Sequence, residues 1–101
     1  MQHLEYEFGP YPANAAANEA LVGVVGSGNL EAFFEHRPQG GMIRFVVDTS
    51  IAGFDPTWRA VLGDFAERVR SGDLLVTIND AGATPSIVAL RLAQAADELA
   101  L

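Results

Sequence analysis

From His3 to Phe8 the chain alternates, with Leu4, Tyr6 and Phe8 on one side and His3, Glu5 and Glu7 on the other. A two-residue period of this kind predicts a half-buried strand. Gly9-Pro10-Tyr11-Pro12 ends it, because proline has no N–H to give to a ladder. Residues 13–19, rich in alanine and asparagine, read as a loop or linker. Ala20 to Val25 is a second strand, Gly26-Ser27-Gly28-Asn29 a dense turn signal, and Leu30 to Glu35 a third strand. Residues 20–36 therefore form an expected hairpin with Ser27 at its tip. Arg37 to Gly41 makes the next turn, and Met42 to Asp48 a fourth strand.

The period then changes. Asp55-Pro56 reads as an N-cap acceptor followed by proline at the first helical position. Trp58, Val61, Leu62, Phe65 and Val69 fall on one helical face, and Gly72 is the expected stop. Leu74 to Ile78 is a fifth strand. Thr84-Pro85 repeats the cap-and-proline signal, and Val88, Leu92, Ala95 and Leu99 line one face of a last helix. The order β-β-β-β-α-β-α, strands early and helices late, points to an α+β fold. The expectation is one domain over 1–101, with a mostly antiparallel sheet of about five strands and two helices on one face.

Composition narrows the chemistry. The chain has 101 residues and no cysteine, and its six basic residues are all arginine. A chain of this length buries roughly two-thirds of its unfolded surface and needs no disulfide or metal to hold a core. Absence of cysteine excludes a disulfide framework, a thiolate zinc site and a thiol nucleophile. Absence of lysine excludes Schiff-base chemistry and biotin or lipoate attachment. A net charge of -7 disfavours nucleic acid and anionic membrane as partners. It suits docking on basic protein surfaces. The N-terminus lacks the basic start and apolar run of a secretory signal, and no stretch is long enough to span a bilayer. A cytoplasmic location is the expectation.

Most candidate sites read as ordinary structure. Glu5 with Glu7, and Glu31 with Glu35, lie on outward strand faces, whereas an acid/base pair needs one carboxyl desolvated. His3 and His36 are far apart and have no local carboxylate at ligand spacing. A triad of Ser27, His36 and Asp48 fails on distance. Nine residues of strand put His36 roughly 25–30 Å from Ser27, against the ~3 Å that a general base requires. Gly23 to Gly28 lacks the following helix of a dinucleotide site and the lysine of a phosphate-binding loop. A hairpin turn with glycines at positive φ is the plain reading. Ser27 nevertheless has one chemical property, a hydroxyl on an exposed turn between two residues without side chains. Another enzyme could reach it from either side. Of the side chains that commonly carry covalent arms, serine is the one this chain has.

Val24-Val25-Gly26-Ser27-Gly28-Asn29-Leu30-Glu31 resembles the Gly-Ser-Gly-Asp-Leu-Glu segment of the acyl carrier (delta) subunits of malonate decarboxylases. Ile78 to Pro85, continuing through Arg91 to Ala95, is similar to the same family's C-terminal pattern. So are the length and the opening strand. Asn29 stands where the family usually has aspartate, and Ala81 where an aromatic is common.

The resemblance implies a non-catalytic carrier. Ser27 would be the covalent attachment point of 2'-(5''-phosphoribosyl)-3'-dephospho-CoA, framed by Gly26, Gly28 and Asn29. The arm's thiol would carry acetyl or malonyl as a thioester. Implied partners are the acyl-transferase (alpha) subunit, the decarboxylase (beta/gamma) subunits and the enzyme that attaches the arm. Three other readings stand beside it: a citrate lyase-type carrier, a non-carrier α+β interaction module with an inert turn at Ser27, and a small stand-alone enzyme. The last lacks a catalytic constellation.

Overall fold

A computed structural model describes residues 1–101. The elements are β1 (Gln2–Phe8), β2 (Glu19–Gly23), β3 (Leu30–His36), β4 (Ile43–Thr49), α1 (Asp55–Val69), β5 (Leu74–Asp80) and α2 (Pro85–Glu98). This is the predicted order. All five strands join in one sheet, β1-β4-β5-β3-β2. Three neighbouring pairs are antiparallel. The fourth pair, β4 with β5, is parallel, which is why the chain needs a crossover there, and α1 supplies it.

Register sorts the side chains into two faces. Leu4, Tyr6 and Phe8 stand opposite Val47, Phe45 and Ile43. The row continues through Val76 of β5, Phe34 of β3 and Ala20 of β2. Both helices cover this face. Trp58, Leu62 and Phe65 of α1 and Val88, Leu92 and Ala95 of α2 are buried in the same cluster, as is Leu99 just beyond α2. Phe65 meets Phe34 and Phe45 edge-on, with ring centres 5.9 and 6.4 Å apart. Each fully buried leucine contributes about 2 kcal/mol, several times any difference in helix propensity between ordinary residues. Packing therefore fixes the helix positions.

The other sheet face carries no helix. It holds the row Leu21, Phe33, Thr77 and Val46, apolar except for the threonine, with acids at the margins. His3 lies there too; it builds no metal site, but it does have a carboxylate close in sequence, Glu5 two positions on. The imidazole is bracketed by two carboxylates, Nδ1 2.7 Å from Asp48 and Nε2 2.8 Å from Glu5. Hydrogen bonds to both, Glu5 first, raise its pKa above the usual histidine value.

Three local expectations shift. β2 begins at Glu19 and ends at Gly23, so Val24 and Val25 belong to the turn. A side chain on Gly23 would collide with the Leu30 carbonyl at 2.1 Å, and its φ of 78° ends the extended run. The N-cap of α1 is Phe54, without a side-chain acceptor. Asp55 lies inside the first turn, where its carboxylate accepts the Tyr6 hydroxyl. The helix stops at Val69 with Arg70 left-handed (φ 48°). Gly72 serves close packing instead, because a Cβ there would sit 2.1 Å from the Gly41 carbonyl oxygen and 2.3 Å from that of Tyr11. Segment 13–18 is a loop, as expected, and is tied down by Asn14 N–H to Ser71 Oγ and Ala16 N–H to the Leu99 carbonyl.

The Thr84 cap is present. Its hydroxyl accepts the Ile87 N–H at 3.3 Å. Thr84→Ala is expected to cost about 1 kcal/mol, read from the urea midpoint; an unchanged midpoint removes the cap's contribution. A second carboxylate gives a pH signature. Asp73 Oδ1 accepts the N–H groups of Gln39 and Gly41 at 2.9 and 2.8 Å. These bonds, Gln39 first, hold its pKa below the ordinary 3.8. Stability from this group is whole above the unfolded pKa and is lost as pH falls through the lower folded one. Wild type should exceed Asp73→Asn in urea midpoint at about pH 6, with the gap closing near pH 2. A gap independent of pH would overturn the assignment.

Candidate functional site

The hairpin of β2 and β3 is formed, with Gly23 opposite Glu31. Its connection, residues 24–29, projects from one end of the sheet, and Ser27 on it is exposed. Gly28 takes a φ of 72°, a region that disfavours side chains, whereas Gly26 does not. A Cβ at either glycine would meet nothing within 4 Å. Open space on both sides of the hydroxyl is thus a property of the folded turn as well as of its composition. Val24 and Val25 are 67% and 54% exposed, so the approach to Ser27 is apolar.

The turn is braced from below. Gly28 N–H donates to the Ala81 carbonyl at 2.8 Å, and Ala81 N–H donates back to the Asn29 carbonyl at 2.9 Å. Asn29 N–H closes the turn onto the Gly26 carbonyl at 2.9 Å. The Asn29 side-chain oxygen accepts from Leu30 N–H at 2.8 Å and from Arg91 Nε at 3.1 Å. Arg91, on α2, falls in the C-terminal pattern, but nothing in the sequence assigns it to this turn. Its partner is 62 positions away, and no local pattern announces the pairing.

Asp80, at the end of β5, orders the support. Its carboxylate accepts from Thr49 Oγ1 (2.8 Å), Gly82 N–H (3.1 Å) and Ala83 N–H (2.9 Å). The group is buried, and these three donors meet the need that burial creates. Segments 24–31 and 78–85, far apart in sequence, are therefore in contact. His36 lies at the opposite end of β3 from Ser27, and Asp48 bonds to His3 on the open face. The serine, histidine and aspartate of a triad are not brought together. No group of three histidine or carboxylate side chains is placed so that it could hold a metal ion, and no helix is long and apolar enough to cross a membrane.

Fold and turn together describe a class: an α+β protein that holds an exposed hydroxyl on a braced hairpin beyond its sheet. The family profile described as malonate decarboxylase delta subunit (MdcD) matches residues 17–99. A malonate decarboxylase acyl carrier protein of Xanthomonas campestris pv. campestris (strain B100) is 48% identical over 100 residues, 98% of this chain and 95% of that one. The Burkholderia cepacia protein of the same name is 50% identical over 101 residues, covering 99% and 92%. A chain in the crystal structure of a Pseudomonas malonate decarboxylase hetero-tetramer in complex with malonate superposes with a TM-score of 0.84. It is 36% identical, with 98% of this chain and 99% of that one covered. The chain belongs to the malonate decarboxylase delta-subunit family.

Asn29→Ala should leave the Leu30 N–H and the Arg91 guanidinium without their shared acceptor. The expected loss is about 1 kcal/mol, with faster hydrogen exchange at the Gly28 and Ala81 amides. Unchanged exchange at both would show that the backbone pair alone holds the turn.

Proposed function

We propose that the whole chain works as the acyl carrier unit of a malonate decarboxylase, and that Ser27 is where its prosthetic arm is attached. The reading rests on family membership and on one geometric observation: Ser27 is exposed, with nothing within 4 Å of where a side chain would start on either flanking glycine. An attaching enzyme must seat the hydroxyl beside a bulky phosphoribosyl donor, and this clearance suits that need. The group proposed is phosphoribosyl-dephospho-CoA, joined to Ser27 Oγ through a phosphodiester. When bound, it would supply a thiol on which acetyl and malonyl are held as thioesters.

The chain's own residues do the positioning. Gly28 and Asn29 fix the anchor by their bonds to Ala81 and Arg91, so the arm swings while its base stays still. Tethering makes each meeting with a partner site effectively intramolecular. The proposed partners are an acyl-transferase subunit, a pair of decarboxylase subunits and the attaching enzyme. A net charge of -7 favours basic docking surfaces on them.

Intact mass gives the test. Protein made with its biosynthetic partners should carry one adduct of the arm's mass, and Ser27→Ala made alongside them should carry none. Unmodified wild type under those conditions, or an adduct that survives Ser27→Ala, overturns the proposal.

A further inference from the structure

A cavity of about 440 Å³ opens beside the braced turn. Its floor is the C-terminal end of the parallel pair, Thr49 of β4 and Asp80 of β5. Its walls include Ile51, Phe54, Trp58 and Val88. The volume lies within the range of small-molecule pockets, roughly 300–1,000 Å³. Ligands in sheets with parallel strands favour the carboxyl ends of those strands. Ile51 and Phe54 leave 44% and 52% of their surfaces exposed at its edge, apolar area with no partner in the chain.

The cavity lies within reach of Ser27. Gly28 N–H bonds to the Ala81 carbonyl at 2.8 Å, and the next residue, Gly82, lines the cavity. Standard backbone dimensions then put the Ser27 and Gly82 Cα atoms within about 8 Å of each other. A pantetheine-bearing arm is several times longer than that and can fold back.

The lining also sets the charge of what enters. No arginine or histidine is among the lining residues, and the one ionisable group is the Asp80 carboxylate. α1 and α2 both begin at the cavity, and helix starts ordinarily favour anions. Here that capacity is reduced. Proline in each first turn removes an N–H, Thr84 Oγ1 already takes the Ile87 N–H, and Asp55 adds a negative charge to the first turn of α1. A tail ending in a carboxylate would lose water, gain no cation and face Asp80. A short neutral acyl group would lose little water and bury apolar surface.

Resting on the carrier reading above, we infer that this cavity shelters the acyl end of the arm when the acyl group is uncharged, and leaves a carboxylate-terminated one in solvent. The acetyl thioester would then be guarded between turnovers, and the malonyl thioester displayed to partners.

The experiment uses full-length protein shown by mass to carry the arm, so failure of attachment is detected separately. The arm is loaded with acetyl, malonyl or isovaleryl; isovaleryl has the shape of malonyl without its charge. Cleavage of each thioester by hydroxylamine is compared with that of the same acyl group on free pantetheine. Acetyl and isovaleryl should react about tenfold slower on the protein, as for a tail sheltered roughly nine-tenths of the time, and malonyl at the free rate. Ala83→Phe, which narrows the cavity, should restore free rates. Fluorescence of Trp58, the only tryptophan, should shift between the free-thiol and acetyl forms of the wild type, a readout independent of whether that variant folds. Equal free rates for all three acyl groups with no Trp58 shift would overturn the shelter. Equal protection of malonyl and isovaleryl would overturn the charge selection.

Discussion

The Asp80 carboxylate is the point on which the functional end of the molecule depends. Its buried oxygens hold Thr49 from the neighbouring parallel strand and the N–H groups of Gly82 and Ala83 from the loop into α2. Burying a carboxylate is costly unless donors surround it, and here the donors come from the segments that must be placed. One group thereby joins the ends of β4 and β5, directs the chain into α2, and fixes Ala81 as the ledge for the Gly28 and Asn29 backbone. The same group floors the cavity. Hydrophobic packing beneath sets the sheet and helices; this polar junction sets how the loops leave them.

The two faces of the sheet divide the remaining tasks. The helix-covered face supplies the core. The open face is polar at its margins, with His3 bridging Glu5 and Asp48, and, Thr77 apart, apolar along the row from Leu21 to Val46. The projecting turn is outside both faces. A group attached there, as proposed for Ser27, could move without disturbing packing, because the turn is tied to the loop before α2 by backbone bonds.

Legibility followed the range of the interaction. The strand β1, the β2–β3 hairpin and the α2 face were readable because their signals are local: alternation, a glycine turn, a threonine-proline start. The α1 start was misplaced because Asp55 is a good cap by residue type, yet its carboxylate is engaged by Tyr6, 49 positions earlier. Gly72 reads as a helix stop in the sequence because glycine suits both a stop and a tight crossing of two backbones. Its actual neighbours, Gly41 and Tyr11, come from two distant connections. Asp80 is readable as a turn residue before α2, since Gly82 and Ala83 are two and three positions on, but its bond to Thr49, 31 residues away, and the Arg91–Asn29 pair, 62 apart, are not.

By itself the sequence determined which residues alternate, which share a helical face, and that a hydroxyl between two glycines would lie on a turn. These follow from periods of two and 3.6 residues and from the freedom of glycine. Only the tertiary structure decided that β4 and β5 lie side by side and parallel. That pairing brings Thr49 and Asp80 together at one end of the sheet, opens a cavity between the starts of two helices, and sets the Ser27 turn at its edge. Strand order is the physical reason: it is settled by how all the apolar faces pack at once, and no single segment carries that information.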